Sequence, residues 1–463
     1  MKQCPVLNEV VAHDLCIGCG ACAAACPRHR LSVDFDSRGF YVVREDPAAA
    51  ACADSCNVCS RVCPFVDGNP NEDAIALELF GDDSGYEPRL GRFRSCYVGS
   101  STRGKQRENG ASGGLATWFL TELLRRGEVD RVVCAGRHPG PRPLFAYKIC
   151  ESEQEVEDSS RSAYYPVEMS AVLADLQRVE GRYAIMCLPC FAKAVRLAAG
   201  VFPRIRDRLV CVAGLVCGHT VSSFFAEYAA ALADPDAGPP SGVIFRTKDS
   251  RFPATELGTT CLWEGNRRTV FWSEGLAECW AEHWFTPNPC FYCDDTFAET
   301  ADVVFMDAWL PEYQDDYRGT SIVVVRSELA DRTFRAGASS GDVQIEPCPP
   351  DEVLRSQAAA VEFKREGLAH RLAAAQETAV RTPVKRIEPM SAASPERARK
   401  WDKQLEAARL GVHAWSERHE LRDFQARMQE YGWARRSESA VHSRSLPRRA
   451  FGRLRRMLWK HQK

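Results

Sequence analysis

Eight cysteines fall in two runs before residue 64: Cys16-x2-Cys19-x2-Cys22-x3-Cys26-Pro27 and Cys52-x3-Cys56-x2-Cys59-x3-Cys63-Pro64. Thiolates at this spacing suit four-iron cubes: three closely spaced ligands wrap one core, and the fourth, just before a proline, reaches the neighbouring core. That crossover assigns Cys16, Cys19, Cys22 and Cys63 to one cube, and Cys26, Cys52, Cys56 and Cys59 to the other. The interval between Cys52 and Cys56 is one residue longer than the pattern asks, which a loop insertion absorbs. Gly18 and Gly20 let the backbone curl around the sulfides, where a β-carbon would crowd it. Paired C-x2-C units also bind zinc, which stays open as the competing reading. Two runs that each end Cys-Pro favour cubes over zinc and over a disulfide framework. The expected chemistry is electron transfer.

The bulk properties agree with that chemistry. The chain has 463 residues, 21 of them cysteine, with 45% hydrophobic residues and a formal net charge of −2. That is length for about two to four domains with a sizeable core, and the charge balance carries no nucleic-acid footprint. No basic start followed by a long apolar stretch marks a secretory signal. The longest apolar run, 209–217, is far short of the ~20 residues that span a bilayer. Abundant cysteine without a signal points to a reducing cytoplasm.

The elements that must position this chemistry follow from periodicity. Residues 1–68 form the cluster module, and a polar stretch at 69–92, opening Asp67-Gly-Asn-Pro-Asn, reads as a linker. Strands are then expected at 95–100, 129–135, 183–187 and 209–216, alternating with helices at 114–126, 191–199 and 221–233. That alternation predicts an α/β domain over 93–345 with a buried sheet. Short β-rich runs fill 242–273, more strand is expected at 302–306 and 321–325, and the composition turns helical from 346 to 440. The fold class expected is therefore α+β and α/β: a ferredoxin-like two-cluster module, an α/β flavin-binding domain and a helical C-terminal extension.

A second constellation lies in the α/β region. Ser112-Gly113-Gly114 opens a helix, and exposed helix-start amides cradle phosphate, so these residues are candidates for a flavin pyrophosphate; a simple helix cap is the alternative. Cys190 and Cys217 follow expected strands, where α/β sheets place their sites, and Cys290-Phe-Tyr-Cys293-Asp294 sits in a loop before another strand. With these segments the chain resembles the coenzyme F420 hydrogenase/dehydrogenase family of beta subunits, which also contains the 7-hydroxymethyl chlorophyll a reductases. The resemblance spans roughly residues 92–335. It is carried by Ser95-Cys-Tyr-Val-Gly99, Ala111-Ser-Gly-Gly114, Arg126-Gly-Glu-Val-Asp130, Ser162-Ala-Tyr-Tyr-Pro166, Leu188-Pro-Cys190, Leu215-Val-Cys217, Cys290-Phe-Tyr-Cys293-Asp294, Ala301-Asp302 and Asp307-Ala-Trp309. Cys187 and Met306 stand where such proteins usually have glycine, and Cys217-Gly-His219 reverses the usual Cys-His-Gly order. These departures bear on the substrate more than on the fold.

The resemblance implies an FAD- and cluster-bearing protein that passes electrons between a deazaflavin or similar carrier and other centres. Beside the flavin, Cys190, Cys217, Cys290 and Cys293 are read as ligands of a third cube; small buried hydrophobes are the alternative. Lys193 and Arg196 are candidate charge partners of the flavin phosphates, and His219 a candidate donor to flavin or substrate. The remaining single cysteines, Cys4, Cys96, Cys134, Cys150, Cys211, Cys261, Cys279 and Cys348, are expected to pack in the core. The function expected is an iron–sulfur flavoprotein oxidoreductase that exchanges hydride with coenzyme F420 or a similar carrier and single electrons with its clusters. The alternatives are a non-catalytic electron-transfer subunit of a larger complex and a metal-bearing accessory protein in envelope or polysaccharide assembly. Expected partners are ferredoxin or a deazaflavin carrier and a redox partner subunit.

In the tail, Trp401, Leu405, Leu410, Trp415, Leu421, Phe424 and Met428 recur at roughly helical spacing, as helices that pack on the body or a partner would require. Residues 441–463 form a basic amphipathic end, of the kind that lies on an anionic bilayer surface; a solvated or disordered tail is the alternative. Deleting 440–463 is expected to lower retention on anionic liposomes; equal retention in a sedimentation assay removes the membrane contact.

Overall fold

The computed structural model describes residues 4–49, 52–53, 56–82, 84–140 and 142–432. The expected amphipathic tail lies outside these residues.

Near-continuous apolar runs such as Ser321–Val325 and Val303–Asp307 cannot leave a face in water, and they occupy the middle of an eight-stranded sheet. Across that sheet the order is Val343–Pro347, Ser95–Ser101, Ser321–Val325, Val303–Asp307, Leu209–Leu215, Tyr183–Cys187, Arg131–Arg137 and Phe145–Cys150. The four strands from Val303–Asp307 to Arg131–Arg137 run parallel, and those outside them pair antiparallel. The strands and helices expected from 95 to 325 are all present, with ends shifted by a few residues. Val343–Pro347 carries the sheet across the expected boundary at 345, because it pairs with Ser95–Ser101.

Alternate residues of the strands feed two separate cores. On one face Cys211, Val303, Phe305 and Val323 pack with Trp118 and Phe119 of Leu115–Arg125 and Phe334 of Glu328–Ser340. On the other, Val212, Val304, Ile322 and Val324 share a core with helix Pro189–Val201 and with Val6, Leu15, Val62 and Phe65 of the N-terminal cysteine module. The module therefore shares a core with the sheet instead of standing off it.

The linker expected at 69–92 is a correction. Asn71 caps helix Glu72–Phe80 by accepting from the Ala74 amide at 2.9 Å. Strands Gly85–Glu87 and Gly91–Phe93 then pair. Polar composition misled the reading because Glu72 is buried against Lys193, 3.2 Å away, and its charge is spent inside the protein.

A separate antiparallel meander, Gly242–Thr247, Gly258–Trp263 and Asn266–Phe271, lies beside helix Phe224–Ala233. The helical extension comprises Pro350–Ser356, Ala358–Lys364, Glu366–Glu377, Pro395–Arg418 and Leu421–Glu430. Its apolar stripe packs on the body: Trp415, Phe424 and Met428 are buried with Tyr228, Trp284 and Phe285, and the Trp415 indole donates to Glu227 at 3.0 Å. Trp415→Ala is expected to destabilise the protein by about 3–5 kcal/mol, as deletion of a buried aromatic does. Urea denaturation checks this; a change within ~0.5 kcal/mol would mean that the helix is a surface appendage.

Candidate functional site

The N-terminal thiols lie close to one another in two adjoining sets of neighbours. Cys19, Cys22 and Cys63 lie within electrostatic reach of one another and of Cys16, and burial pushes the Cys63 thiol up to about 12. Cys52 has Cys56, Cys26 and Cys59 as its thiol neighbours, and burial raises its pKa. Cys22 also senses Cys59, so the groups adjoin. Buried thiols that raise one another's pKa are poor company as protein alone, whereas a coordinated metal core deprotonates them outright. The donor set thus fits iron–sulfur cubes. Gly18, at φ +70°, is required by its own neighbours: a β-carbon there would stand 2.2 Å from the Tyr41 carbonyl oxygen.

Sequence spacing gave no reason to connect Cys4 with these groups. Its buried Sγ lies 3.4 Å from Cys59 Sγ, and the contact favours thiolate on Cys59 and a protonated Cys4. The other single cysteines assigned to the core are buried as expected.

A third group gathers at the parallel sheet. Cys190 follows strand Tyr183–Cys187, and Cys217 follows Leu209–Leu215. Cys290 lies in the short turn Asn288–Tyr292, with Cys293 just after it. Beyond its burial, the largest influences on Cys190 are Cys293, Cys217 and Cys290, which all raise its pKa; burial pushes Cys217 up to about 11. Two bonds fix the register of these loops: the Cys217 amide donates to Thr296 O at 3.0 Å, and the Thr220 amide to Cys290 Sγ at 3.5 Å. Among the described residues no three His, Cys, Asp or Glu side chains converge closely enough to hold a single metal ion.

The loop from Pro289 to Met306 is buried throughout, yet it contains Asp294, Asp295, Glu299 and Asp302. Cations hold it. Arg386 bonds Glu299 through both terminal nitrogens, at 2.7 and 2.8 Å, and Asp294 at 3.1 Å, while Lys385 lies 3.5 Å from Asp294. These cations hold Asp294 well below the usual carboxylate range against its burial. Asp295 is pushed the other way, to about 7, by burial and then by Glu299. The buried Arg326 guanidinium donates to the carbonyls of Leu90, Arg92, Phe297, Ala298 and Ala301 at 2.7–3.3 Å.

His219 lies beside this group. Its ring sits 4.2 Å from Trp280 and 4.3 Å from His283, centre to centre, and its Nε2 is buried without a hydrogen-bond partner. Burial pulls its pKa down to about 3, so the ring is neutral.

Ser112 Oγ donates to Thr320 O at 2.7 Å, and the Gly113 amide to Ser321 Oγ at 2.9 Å. A β-carbon on Gly113 would come 2.6 Å from Gly99 O, and one on Gly114, at φ +80°, 2.6 Å from Gln106 O. These glycines answer to backbone packing. Lys193 is paired with Glu72, and Arg196 bonds Asp302 at 2.6 Å and Thr300 O at 3.0 Å. Neither they nor His219 line the cleft beside Ser112. Lys193 and Arg196, read from the sequence as charge partners of a flavin phosphate, are each paired with an internal carboxylate.

Residues that the sequence reading passed over surround that cleft instead. Lys248 Nζ donates to the carbonyls of Arg107, Arg318 and Ser112 at 2.5, 2.6 and 2.7 Å, using all three of its donors. Arg246 pairs with Asp307 at 2.5 and 2.7 Å, and its guanidinium lies 5.5 Å over Trp309. The cleft is nearly closed, with a free volume of about 10 Å³. Farther along strand Gly242–Thr247 a cavity of about 260 Å³ is lined by Asn109, Arg137, Phe145, Arg161, Ser162 and Phe245, among others. Among the described residues neither Arg137 nor Arg161 is ion-paired. The lining thus brings two guanidinium groups together with the Glu157 and Asp158 side chains, a serine hydroxyl and aromatic rings. A pair of arginines far apart in sequence has no spacing signal, so only the fold reveals it.

Comparison with known proteins agrees with this architecture. Two family models, for the N-terminal and C-terminal parts of the coenzyme F420 hydrogenase/dehydrogenase beta subunit, match residues 96–174 and residues 180–351 in turn. Residues 15–66 match the 4Fe-4S dicluster domain. A subunit of the F(420)H(2) dehydrogenase of Methanosarcina mazei is 23% identical over 370 residues, which cover 78% of this chain and 93% of that protein. A solved structure of the F420-reducing [NiFe] hydrogenase complex from Methanosarcina barkeri aligns with a TM-score of 0.49 at 15% identity, over 65% of this chain and 98% of that one.

Arg326→Met is expected to cost about 3 kcal/mol or more, because it removes at once the side-chain donor to five carbonyls, of which Ala298 O keeps the Ala301 amide at 2.8 Å. Denaturant melts measure the loss. A stability equal to the wild type's would show that the loop does not need this side chain.

Proposed function

Because the chain belongs to the coenzyme F420 hydrogenase/dehydrogenase family of beta subunits, we propose that this iron–sulfur oxidoreductase holds FAD together with three cubes, and that it exchanges hydride with coenzyme F420 or a chemically similar carrier. The observation that carries the reading is the gathering of Cys190, Cys217, Cys290 and Cys293 at loops of the α/β sheet, apart from the eight thiols of the N-terminal module. Two cubes would be held by the N-terminal groups and the third by this quartet. Arg137, Arg161, Asn109 and Ser162 would receive the flavin's polar part. When bound, a flavin supplies the conversion between a hydride's electron pair and single electrons, chemistry that no side chain here can perform.

The chain's own residues supply placement and dryness. Lys248 ties together three backbone segments beside Ser112 and keeps the cleft wall from sliding. Between that cleft and the third thiol group stand Arg246, Tyr164, Trp280 and His219 in successive contact. With Tyr164 and Trp280 half-buried, this layer would limit the access of water to the space between the two sites. His219, neutral, presents an unfilled ring nitrogen there. No nucleophile or general base is assigned. Electrons would enter from a reduced carrier such as ferredoxin or a deazaflavin, or leave to a partner subunit.

One observation favours a second reading, an electron-transfer subunit without flavin: the cleft beside Ser112 has room for about one water. Anaerobic purification followed by iron, sulfide and flavin quantification decides between the two. The preferred reading expects about twelve iron atoms and one FAD per chain, and loss of about four irons in Cys190→Ser with the N-terminal clusters kept. Full iron without flavin supports the second reading. Colourless protein without sulfide ends both.

A further inference from the structure

The third thiol group is touched by a cation from outside the family-matched residues. The family match ends at residue 351, and Lys364 closes helix Ala358–Lys364 of the C-terminal extension. Its side chain is buried, with 2% exposed. Nζ lies 3.2 Å from Cys293 Sγ and donates to Asp295 O at 2.6 Å. The nearby acids are otherwise engaged: Asp294 with Lys385 and Arg386, and Glu299 with Arg386 and Arg365. Among the described residues Lys364 has no carboxylate within ion-pair distance; Asp295 bonds it through its backbone oxygen, and the Asp295 carboxyl acts on it less than Cys293, Cys217 and Cys290 do.

A buried ammonium without an anion costs several kcal/mol, so its position needs a negative partner. The sulfur of Cys293 is the partner the geometry offers. A cube held by four thiolates carries net negative charge, and accepting one electron adds to it. A fixed cation against a ligand sulfur stabilises the reduced form more than the oxidised one, and hydrogen bonds to the sulfurs and local charge are the levers by which proteins set cluster potentials.

We propose that Lys364 is a positioning residue for the third cluster's electrostatics: its ammonium, delivered by the C-terminal extension onto Cys293, raises that cluster's reduction potential. The step it biases is the gain of one electron by the cluster from the flavin or a neighbouring cube, with no proton leaving Lys364. This inference rests on the third cube proposed for the thiol quartet.

The test is an EPR-monitored redox titration of anaerobically reconstituted full-length protein, wild type against Lys364→Met and Lys364→Arg. Lys364→Met is expected to move one cluster midpoint at least 59 mV more negative, a tenfold change for a one-electron couple, while the other midpoints stay in place. Lys364→Arg, which keeps the charge, should lie close to wild type. Unchanged midpoints in an iron-replete Lys364→Met overturn the proposal. Should that variant not fold, Lys364→Gln is titrated in its place and read by the same criterion. Wild-type iron near eight instead of about twelve would instead remove the third cube itself, an outcome separate from an unshifted potential.

Discussion

Burial of an acidic loop beside sulfur is the constraint to which much of this structure answers. The loop 289–306 supplies two thiols, Cys290 and Cys293, and carries four carboxylates into the interior. Unpaired, such charges would cost several kcal/mol each. They are tolerated because cations arrive from well-separated parts of the chain: Arg196 from a sheet-covering helix, and Arg365, Lys385 and Arg386 from the C-terminal extension. Arg326 saturates the loop's carbonyls from the end of a central strand.

This arrangement explains why the outer segments are integral. Arg386 also reaches Glu72 and Asp73 at the start of helix Glu72–Phe80, at 3.6 and 3.0 Å, so one guanidinium joins the extension, the loop and the segment after the cysteine module. Arg381 and the Val384 amide contact Asp67 close by. The N-terminal thiols are thereby held against the same sheet face as the third group. Electron transfer between centres depends on fixed separation, and a shared core provides it where a flexible tether would not.

Much of the fold could be read directly. The strands Tyr183–Cys187 and Ser321–Val325 were legible to the residue, because an apolar run bounded by turn-forming residues leaves few alternatives. The segment 69–92 was not, since Glu72 looks solvated in sequence and is buried in the fold against Lys193 and Arg386, more than a hundred residues away. The carboxylates beside Lys193 and Arg196 were hidden in the same way. Helical position could not tell whether their charges faced a ligand or a carboxylate, and Glu72 and Asp302 occupy them.

The local spacing of cysteines determined the two N-terminal groups, since ligands a few residues apart must wrap one core whatever surrounds them. Residue order likewise settled the α/β character, because period and apolar content are properties of short windows. Tertiary structure alone decided which distant groups meet: Cys4 at Cys59, Lys364 at Cys293, Arg137 near Arg161, and Arg386 among Glu72, Asp294 and Glu299. Such meetings depend on charge compensation across folded segments, and no local pattern records the partner that neutralises a buried charge.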